Sequence, residues 1–163
     1  MALIQVESVD HRASAIAEQI HAVQTAAYQQ EARLLEALHF PPLERTIEDL
    51  QRSDEDFLVA TAGKVIVGAL SIGPGDEPST VNIGSLVVLP GRQRAGIGKR
   101  LLAAAVAANG STPITVQTGA RNFPALALYR QFGFVEIHRW CTGAESLERV
   151  KLRRPRAPSI SLE

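Results

Sequence analysis

The amino-acid sequence predicts an α/β fold on the strength of three observations. Apolar residues recur at helical spacing up to about residue 50, and β-rich runs take over from Phe57. From Val81 onward, strand-like runs alternate with helical ones. The segment after Leu86 passes from an apolar strand through a proline and glycines into a helix. Such an alternation is typical of a sheet with helices packed against it.

The N-terminal fifty residues predict one short strand and three helical stretches. Residues 2–6 form the strand, and a helix capped by Asp10 or Ser14 follows it. The apolar face of this helix consists of residues at helical spacing, namely Ile16, Ile20, Val23 and Ala27. A second helical stretch runs through Leu34, Leu35 and Leu38.

Residues 40–42, Phe-Pro-Pro, end that second stretch, because proline disfavours helical geometry in the residue before it. Thr46 begins the next helix, which carries Ile47 and Leu50. The strands expected after it are residues 57–61, 65–72, 81–88, 114–117, 134–138 and about 147–152. The turn at 62–64 makes the first two of these a hairpin, and residues 73–79 form a loop.

Length and charge limit the classes of function. The 163 residues suffice for one domain over 1–163, and its last part, about 154–163, is expected to be a solvated tail. Because 17 basic residues balance 17 acidic ones, neither nucleic acid nor a membrane is an expected partner. Cys141 is the only cysteine, which excludes an internal disulfide, offers no metal cluster and favours a reducing, cytoplasmic setting. No export signal or membrane span is recognisable.

The segment from Leu86 to Leu102 predicts a site for an anionic ligand. The unpaired N–H groups of a first helical turn, at the positive end of the helix dipole, bind phosphate oxygens. Gly96 and Gly98 lack Cβ, so the main chain can approach a diphosphate there. The helix dipole disfavours cations at the start of a helix. An anionic ligand would explain why four cations lie around this turn, namely Arg92, Arg94, Lys99 and Arg100. We therefore expect a nucleotide-like cofactor.

The spacing excludes two common phosphate-binding loops. A P-loop needs GxxxxGK followed by Ser or Thr, but Gly96 is followed by Ile97, and Lys99 by Arg100. A dinucleotide fingerprint needs GxGxxG, and no third glycine follows Gly98 at the required spacing.

Two motifs resemble those of the GNAT superfamily of N-acyltransferases. The first corresponds to the family's LxVxP strand end and Q/RxxGxG/A turn and reads Leu86, Val88, Pro90, Gln93, Gly96 and Gly98. The second is similar to the family's NxxAxxLYxxxGF helix and turn and extends from Asn122 through Tyr129 to Phe134. A helix over 123–132, ended by Gly133, fits this second motif. The resemblance covers the C-terminal two-thirds of the chain.

The resemblance implies a mixed, mostly antiparallel sheet flanked by helices, with a splay between its two central parallel strands. It also implies acetyl-CoA as co-substrate: the turn binds the diphosphate, and the backbone of Val88 pairs with the pantetheine arm. The cofactor-binding residues that it indicates are Val87, Val88, Leu89, Gln93, Arg94, Ala95, Gly96, Ile97, Gly98, Lys99, Asn122 and Tyr129.

Tyr129 is the predicted catalytic acid. A tyrosine with its ordinary pKa of about 10 is protonated at neutral pH and can protonate a departing thiolate. Asn122 lies two helical turns earlier and shares its face. In the resembling family, the matching tyrosine is the usual general acid and the matching asparagine contacts coenzyme A. The alternatives are a packing role for Tyr129 and an N-cap role for Asn122.

The general base is left open by the sequence. Many relatives carry a glutamate on the strand before the second motif, but this chain has Gln117 there, which cannot usefully accept a proton. The remaining candidates, acting directly or through water, are Glu31, Glu36, His39, Asp76 and Glu77. A covalent route is not expected, because His138 and Cys141 fall on opposite faces of a predicted strand.

The predicted function is therefore transfer of an acetyl group from acetyl-CoA to a primary amine of a small molecule or a protein N-terminus, by direct attack. The alternative is a coenzyme A-binding sensor or regulatory module without turnover, which Gln117 favours. Edge strands near the C-terminus are compatible with a homodimer. The acceptor amine cannot be identified from these residues.

Overall fold

Seven strands form one sheet in the order β1-β2-β3-β4-β5-β7-β6, as seen in a computed structural model that describes residues 3–93 and 95–156. The strands are β1 (Ile4–Val9), β2 (Asp56–Ala62), β3 (Val65–Pro74), β4 (Val81–Val88), β5 (Ile114–Gly119), β6 (Val135–Thr142) and β7 (Leu147–Arg154). The helices are α1 (Ser14–Leu34), α2 (Ile47–Arg52), α3 (Ile97–Ala108) and α4 (Phe123–Gln131), with a short 3₁₀ helix at Pro41–Glu44. Only β4 and β5 are parallel among these neighbours, so the predicted mixed, mostly antiparallel sheet is confirmed.

The helices pack on both faces of the sheet. On one face, α1 places Ala17, Ile20 and Val23 against buried side chains of β2, β3 and β4. On the other face, α3 and α4 bury Leu101 and Leu126 in the larger core cluster. Burial of this apolar surface is the main stabilising contribution to the fold. No described helix is both long and apolar enough to cross a bilayer.

The helix α1 is one element where the sequence predicted two. The prediction of a second helical stretch through Leu35 and Leu38 is wrong, because the helix ends at Leu34 and Leu38 is 96% exposed. The turn that ends it has Glu36 in the left-handed region at φ 56°, and the N–H of Ala37 donates to the carbonyl of Ala32. This is a Schellman ending without its usual glycine, which is why no local signal marked it.

Other element boundaries also differ from the prediction. The first strand begins at Ile4 and runs to Val9, and Ala13 occupies the N-cap of α1 in place of Asp10 or Ser14. The Asp10 carboxylate instead accepts a hydrogen bond from the Arg12 N–H in the preceding turn. The strands β3, β5, β6 and β7 all extend further than predicted, since pairing with a neighbour prolongs them.

The predicted tail of about 154–163 overlaps the last strand by one residue. Arg154 is the last residue of β7, and its Nε donates to the carbonyl of Phe132 at 2.9 Å. Residues 157–163 lie outside the described part of the chain. By contrast, the predicted start at Thr46 is confirmed by a full capping box, in which Thr46 and Asp49 exchange hydrogen bonds between side chain and main chain.

The parallel strands β4 and β5 separate after three residue pairs. Pairing begins at Val81 with Ile114 and stops at Ile83 with Val116. At the same point β4 carries an extra residue, Gly84, because its register against β3 jumps from Ile83 to Ser85. A bulge of this kind bends its strand. The predicted splay is therefore present, and the bulge lies where it opens.

We expect Gly84→Ala to destabilise the fold by about 1–3 kcal/mol, because the added Cβ overpacks its surroundings. That atom would overlap Oε2 of Glu55 and lie 2.9 Å from Oγ of Ser71. The Glu55 carboxylate cannot simply turn away, since the hydroxyls of Ser71 and Ser53 and the guanidinium of Arg45 hold it at 3.0, 3.2 and 3.7 Å.

Urea unfolding measures this change, with Gly110→Ala as the matched control. A Cβ at Gly110 would meet nothing closer than the Val106 carbonyl at 3.8 Å, so its midpoint should stay near that of the wild type. Equal midpoints for the two variants would contradict the overpacking argument.

Candidate active site

An open cavity of about 610 Å³ lies between β4 and α4, where the splay begins. The turn between β4 and α3 forms one wall, with Arg92, Gln93 and residues 96–99. The second half of α1 forms another wall, and α4 closes the third side. The first motif and the second motif therefore face each other across one space.

The turn has the backbone geometry of an anion cradle. The N–H of Arg92 donates to the Leu89 carbonyl at 3.0 Å, with Gly91 at φ 91°, and Gly96 is the N-cap of α3 at φ 76°. A side chain at either glycine would be strained in this left-handed region. Among the described residues no side chain caps α3, so its first-turn N–H groups can bind a ligand.

Gly98 is not demanded by packing within the chain. An added Cβ would be in ordinary contact with Leu128 at 3.5 Å and Val88 at 3.6 Å. Glycine in a helix lowers the stability of the fold by about 1 kcal/mol relative to alanine. Because packing does not explain this cost and Gly98 faces the cavity, close approach of a ligand is the favoured explanation.

We therefore expect Gly98→Ala to raise the free energy of unfolding by about 0.5–1 kcal/mol and to weaken coenzyme A binding by at least about tenfold. Urea unfolding and calorimetry measure the two effects separately. An alanine variant that binds coenzyme A as tightly as the wild type would remove Gly98 from the cradle.

Most of the predicted cofactor residues line this cavity: Val87, Val88, Gln93, Gly96, Ile97, Gly98, Lys99, Asn122 and Tyr129. Leu89 and Ala95 do not, and Arg94 lies outside the described residues. The Leu89 N–H donates to the Val67 carbonyl of β3. Since successive N–H groups of a strand point in opposite directions, that of Val88 points away from β3, toward the gap. The cofactor role of these residues stays a prediction.

The cations of the turn divide into two groups. Arg92 and Lys99 line the cavity, where they can interact with an anionic ligand. Arg100 instead donates from Nη1 to the carbonyl of Ile4, which ties α3 to the first strand.

Local capping explains the second motif. The Asn122 side chain accepts a hydrogen bond from the Ala125 N–H at the start of α4, as its N-cap alternative required. At the other end Gly133 adopts φ 86°, and the Phe134 N–H donates to the Tyr129 carbonyl in a Schellman ending. The Phe134 ring then packs on that of Tyr129, with centroids 5.5 Å apart.

Tyr129 is only 4% exposed, yet it lines the cavity. Burial, with a smaller contribution from the nearby Glu31 carboxylate, raises the pKa of Tyr129 above its ordinary value. Its hydroxyl forms no hydrogen bond with any group in residues 3–93 or 95–156. The side chain therefore combines a packed ring with a protonated hydroxyl that is available to a ligand.

Glu31 is the carboxylate that the fold brings beside Tyr129. It projects from α1, and its Oε1 accepts a hydrogen bond from the Asn122 amide at 3.1 Å. Burial raises the pKa of Glu31, and the Asn122 hydrogen bond and the Arg149 charge oppose that rise. A carboxylate with a raised pKa is a better proton acceptor near neutral pH than an exposed one.

The other four candidates for the base lie elsewhere. Glu36 pairs with Arg121 at 3.0 Å, His39 with Glu44 at 3.5 Å, and Asp76 with Lys151 at 3.0 Å, all in exposed positions. These residues and Glu77 line neither the large cavity nor the smaller one described next. Of the five, only Glu31 is placed where a reaction at Tyr129 would need it.

A smaller cavity of about 90 Å³ lies inside the splay itself, between Ile83–Leu86 of β4 and Val116–Thr118 of β5. It meets the large cavity at residues that line both, namely Glu31, Leu86, Asn122, Ala125 and Tyr129. Tyr28 lies on its wall beside Ser85, and burial raises the pKa of Tyr28 to about 12. The two candidate catalytic side chains thus lie at the junction of two spaces.

The sequence did not single out Tyr28, Ser85 or Arg149, which also line the smaller cavity. The alternation of Arg149, Lys151 and Arg153 with buried residues was the one available signal for Arg149. His138 and Cys141 line neither cavity; His138 stacks on Trp140 at 5.2 Å, and Cys141 is exposed.

A family model described as "Acetyltransferase (GNAT) family" matches residues 18–134, which include most of α1, the splayed strands and both motifs. The chain belongs to the GNAT acetyltransferase family. The junction of the two cavities, at Glu31 and Tyr129, is thus the candidate active site of a GNAT acetyltransferase fold.

Among curated proteins, UPF0157 protein YqkA of Bacillus subtilis is 34% identical over 130 residues, which are 79% of this chain and 37% of that protein. The chain therefore spans little more than a third of that relative. Among solved structures of the GNAT fold, the ribosomal-protein-S18-alanine N-acetyltransferase of Escherichia coli aligns with TM-score 0.74 at 16% identity, over 96% of each chain. The yncA protein of Salmonella typhimurium, solved with its cofactor acetyl-CoA, aligns with TM-score 0.70 at 16% identity, over 99% of each chain.

Proposed function

We propose that this GNAT protein is an acetyl-CoA dependent N-acetyltransferase that acts on a primary amine by direct attack. The observation that carries the proposal is the junction of the two cavities. Glu31 and Tyr129 line both spaces, so an acyl donor in the large cavity and an amine in the small one would meet between them. Membership of the family supports acetyl transfer, and the yncA structure with acetyl-CoA supports the choice of donor.

The residues of the large cavity fit coenzyme A. Its diphosphate would be held by the first-turn N–H groups of α3, with Arg92 and Lys99 nearby, and Gly98 leaves room for close approach. When bound, acetyl-CoA supplies an activated thioester. The Val88 N–H, which points into the gap between the strands, would stabilise negative charge on the acyl oxygen.

Glu31 would take the proton from the amine as the new C–N bond forms. A lysine-like amine, with a pKa of about 10.4, is rarely neutral at pH 7, so a nearby base increases the reactive fraction. The Asn122 amide orients the Glu31 carboxylate and leaves its second oxygen available. The same asparagine caps α4, so one residue fixes both the base and the helix that carries Tyr129.

Tyr129 would donate its proton to the sulfur as the C–S bond breaks. Its raised pKa keeps it protonated until negative charge develops on the thiolate. The Phe134 ring holds the tyrosine ring in place, so the hydroxyl needs little reorganisation to reach its partner.

The test combines calorimetry with coenzyme A and release of free thiol from acetyl-CoA across a panel of primary amines. We expect binding of coenzyme A and thiol release that depends on the added amine. Glu36→Gln serves as the control, because Glu36 is on the exposed turn after α1 and pairs with Arg121. Tight binding without release for any amine would favour a coenzyme A sensor, and no binding would overturn both functions.

A further inference from the structure

One strand presents an unusual row of cations beside the smaller cavity. In β7, Val150 and Leu152 are buried in the core shared with α3 and α4, so Arg149, Lys151 and Arg153 point to the opposite face. That is the face on which α1 packs, but α1 covers β3 and β4. The three cations therefore line a part of the sheet that the helix leaves accessible.

The three cations are not equivalent, because Lys151 has an acidic partner and only Arg149 lines the smaller cavity. Lys151 forms an ion pair with Asp76 at 3.0 Å. Arg149 is half-buried and lines the smaller cavity, and within the described ranges its guanidinium forms neither a hydrogen bond nor an ion pair. Arg153 is four residues further along the strand and lines neither cavity. The cavity thus contains one guanidinium with its donors unused.

Opposite charges therefore face the same small space. The Glu31 carboxylate is at the junction with the large cavity, and its pKa responds to the charge of Arg149. The remaining walls are partly polar, and Tyr28, Phe40 and Leu86 supply an aromatic or apolar part. A ligand that matches this lining has a cation, an anion and an apolar part within a few ångströms of one another.

We propose that the acceptor amine is a free amino acid, with its amine toward Glu31, its carboxylate on Arg149 and its side chain against the apolar wall. This inference rests on the proposed acetyl transfer at the same site. Arginine suits the role because its planar guanidinium binds a carboxylate through two parallel hydrogen bonds.

The same lining disfavours the other acceptor classes. A polyamine would bring a second ammonium toward the Arg149 guanidinium, and like charges in a confined site cost binding energy. A protein N-terminus has a neutral peptide group where a free amino acid has its carboxylate, so it would leave the guanidinium without its anion. The charge of Arg149 thus separates small zwitterions from peptides.

The test is a panel of amino acids with different side chains, each compared with its amide and with the amine that lacks the carboxylate group. Each is titrated calorimetrically into the protein saturated with coenzyme A, and thiol release from acetyl-CoA is measured in parallel. For at least one amino acid, we expect binding about 10- to 100-fold tighter than that of its amide. The amide has the lower amine pKa, about 8, and is intrinsically easier to acetylate, so a rate preference for the acid would report recognition of the carboxylate.

Arg149→Gln should abolish the difference between acid and amide, and Arg149→Lys should restore part of it. The matched control is Arg153→Gln on the same face of the same strand, which should keep the preference. Equal binding of acids and amides, a preference for peptides, or equal losses in the Arg149 and Arg153 variants would overturn the proposal. Selective binding without thiol release would support recognition of an amino acid at Arg149 and contradict acetyl transfer, so the two failures are distinguishable.

Discussion

Replacing Tyr129 by phenylalanine should lower kcat by about 10²-fold and leave the dissociation constant of coenzyme A nearly unchanged. The variant loses the proton donor for the departing thiolate, but it keeps the ring that packs on Phe134 at 5.5 Å. No group in the described ranges bonds to the hydroxyl, so its removal leaves no buried donor or acceptor without a partner. Steady-state thiol release and calorimetry give the two values.

The urea midpoint and the coenzyme A affinity together identify a structural cause for any loss of activity in that variant. The urea midpoint should stay within the range of the wild type, since the substitution preserves volume and packing. A fall in kcat accompanied by weaker coenzyme A binding would indicate a displaced helix α4. An unchanged kcat would remove Tyr129 from the chemistry and favour its alternative role as a packing residue.

Glu31→Gln is expected to lower kcat/KM at neutral pH by about 10²-fold or more, with the largest loss for amines of high pKa. The glutamine keeps the side-chain oxygen that accepts from Asn122, but it cannot take a proton from the amine. Glu36→Gln is the matched control near the end of the same helix, where the carboxylate faces solvent and Arg121. That control should retain the activity of the wild type.

The dependence of kcat/KM on pH tests the same role of Glu31. Burial raises the pKa of Glu31, so the acid limb of kcat/KM should lie above the ordinary value of 4.5. Below that limb Glu31 is protonated and cannot act as a base, and activity falls as the pH decreases. In Glu31→Gln this limb should disappear, leaving only the titration of the amine itself. A variant that retains the acid limb would assign the base to another group.

The first and last residues of several helices could be predicted because the interactions that fix them are local. Thr46 and Asp49 cap α2 within one turn, Asn122 caps α4, and Gly133 ends α4 in the left-handed region. The glycine turn before α3 is likewise a property of the backbone at Gly96. Motifs of this kind depend on neighbours in the sequence, so their geometry was already encoded in the residues.

The end of α1 could not be predicted, because a Schellman turn is made there by Glu36 at positive φ and no glycine marks it. The base was also undecided: Glu31 and four other acidic or histidine side chains were equal candidates. What separates them is burial and the contact with Asn122, which belong to the packing of α1 against α4.

The sequence alone predicted a strand-turn-helix anion site, its likeness to one acyltransferase family and a tyrosine suited to acid catalysis, since each depends on residues close together in the chain. The tertiary structure decided which distant side chains share the candidate active site. Glu31 from α1 and Arg149 from β7 meet at one cavity because β7 pairs with β5 beside the splay. Contacts between residues so far apart follow from sheet topology, which no local pattern records.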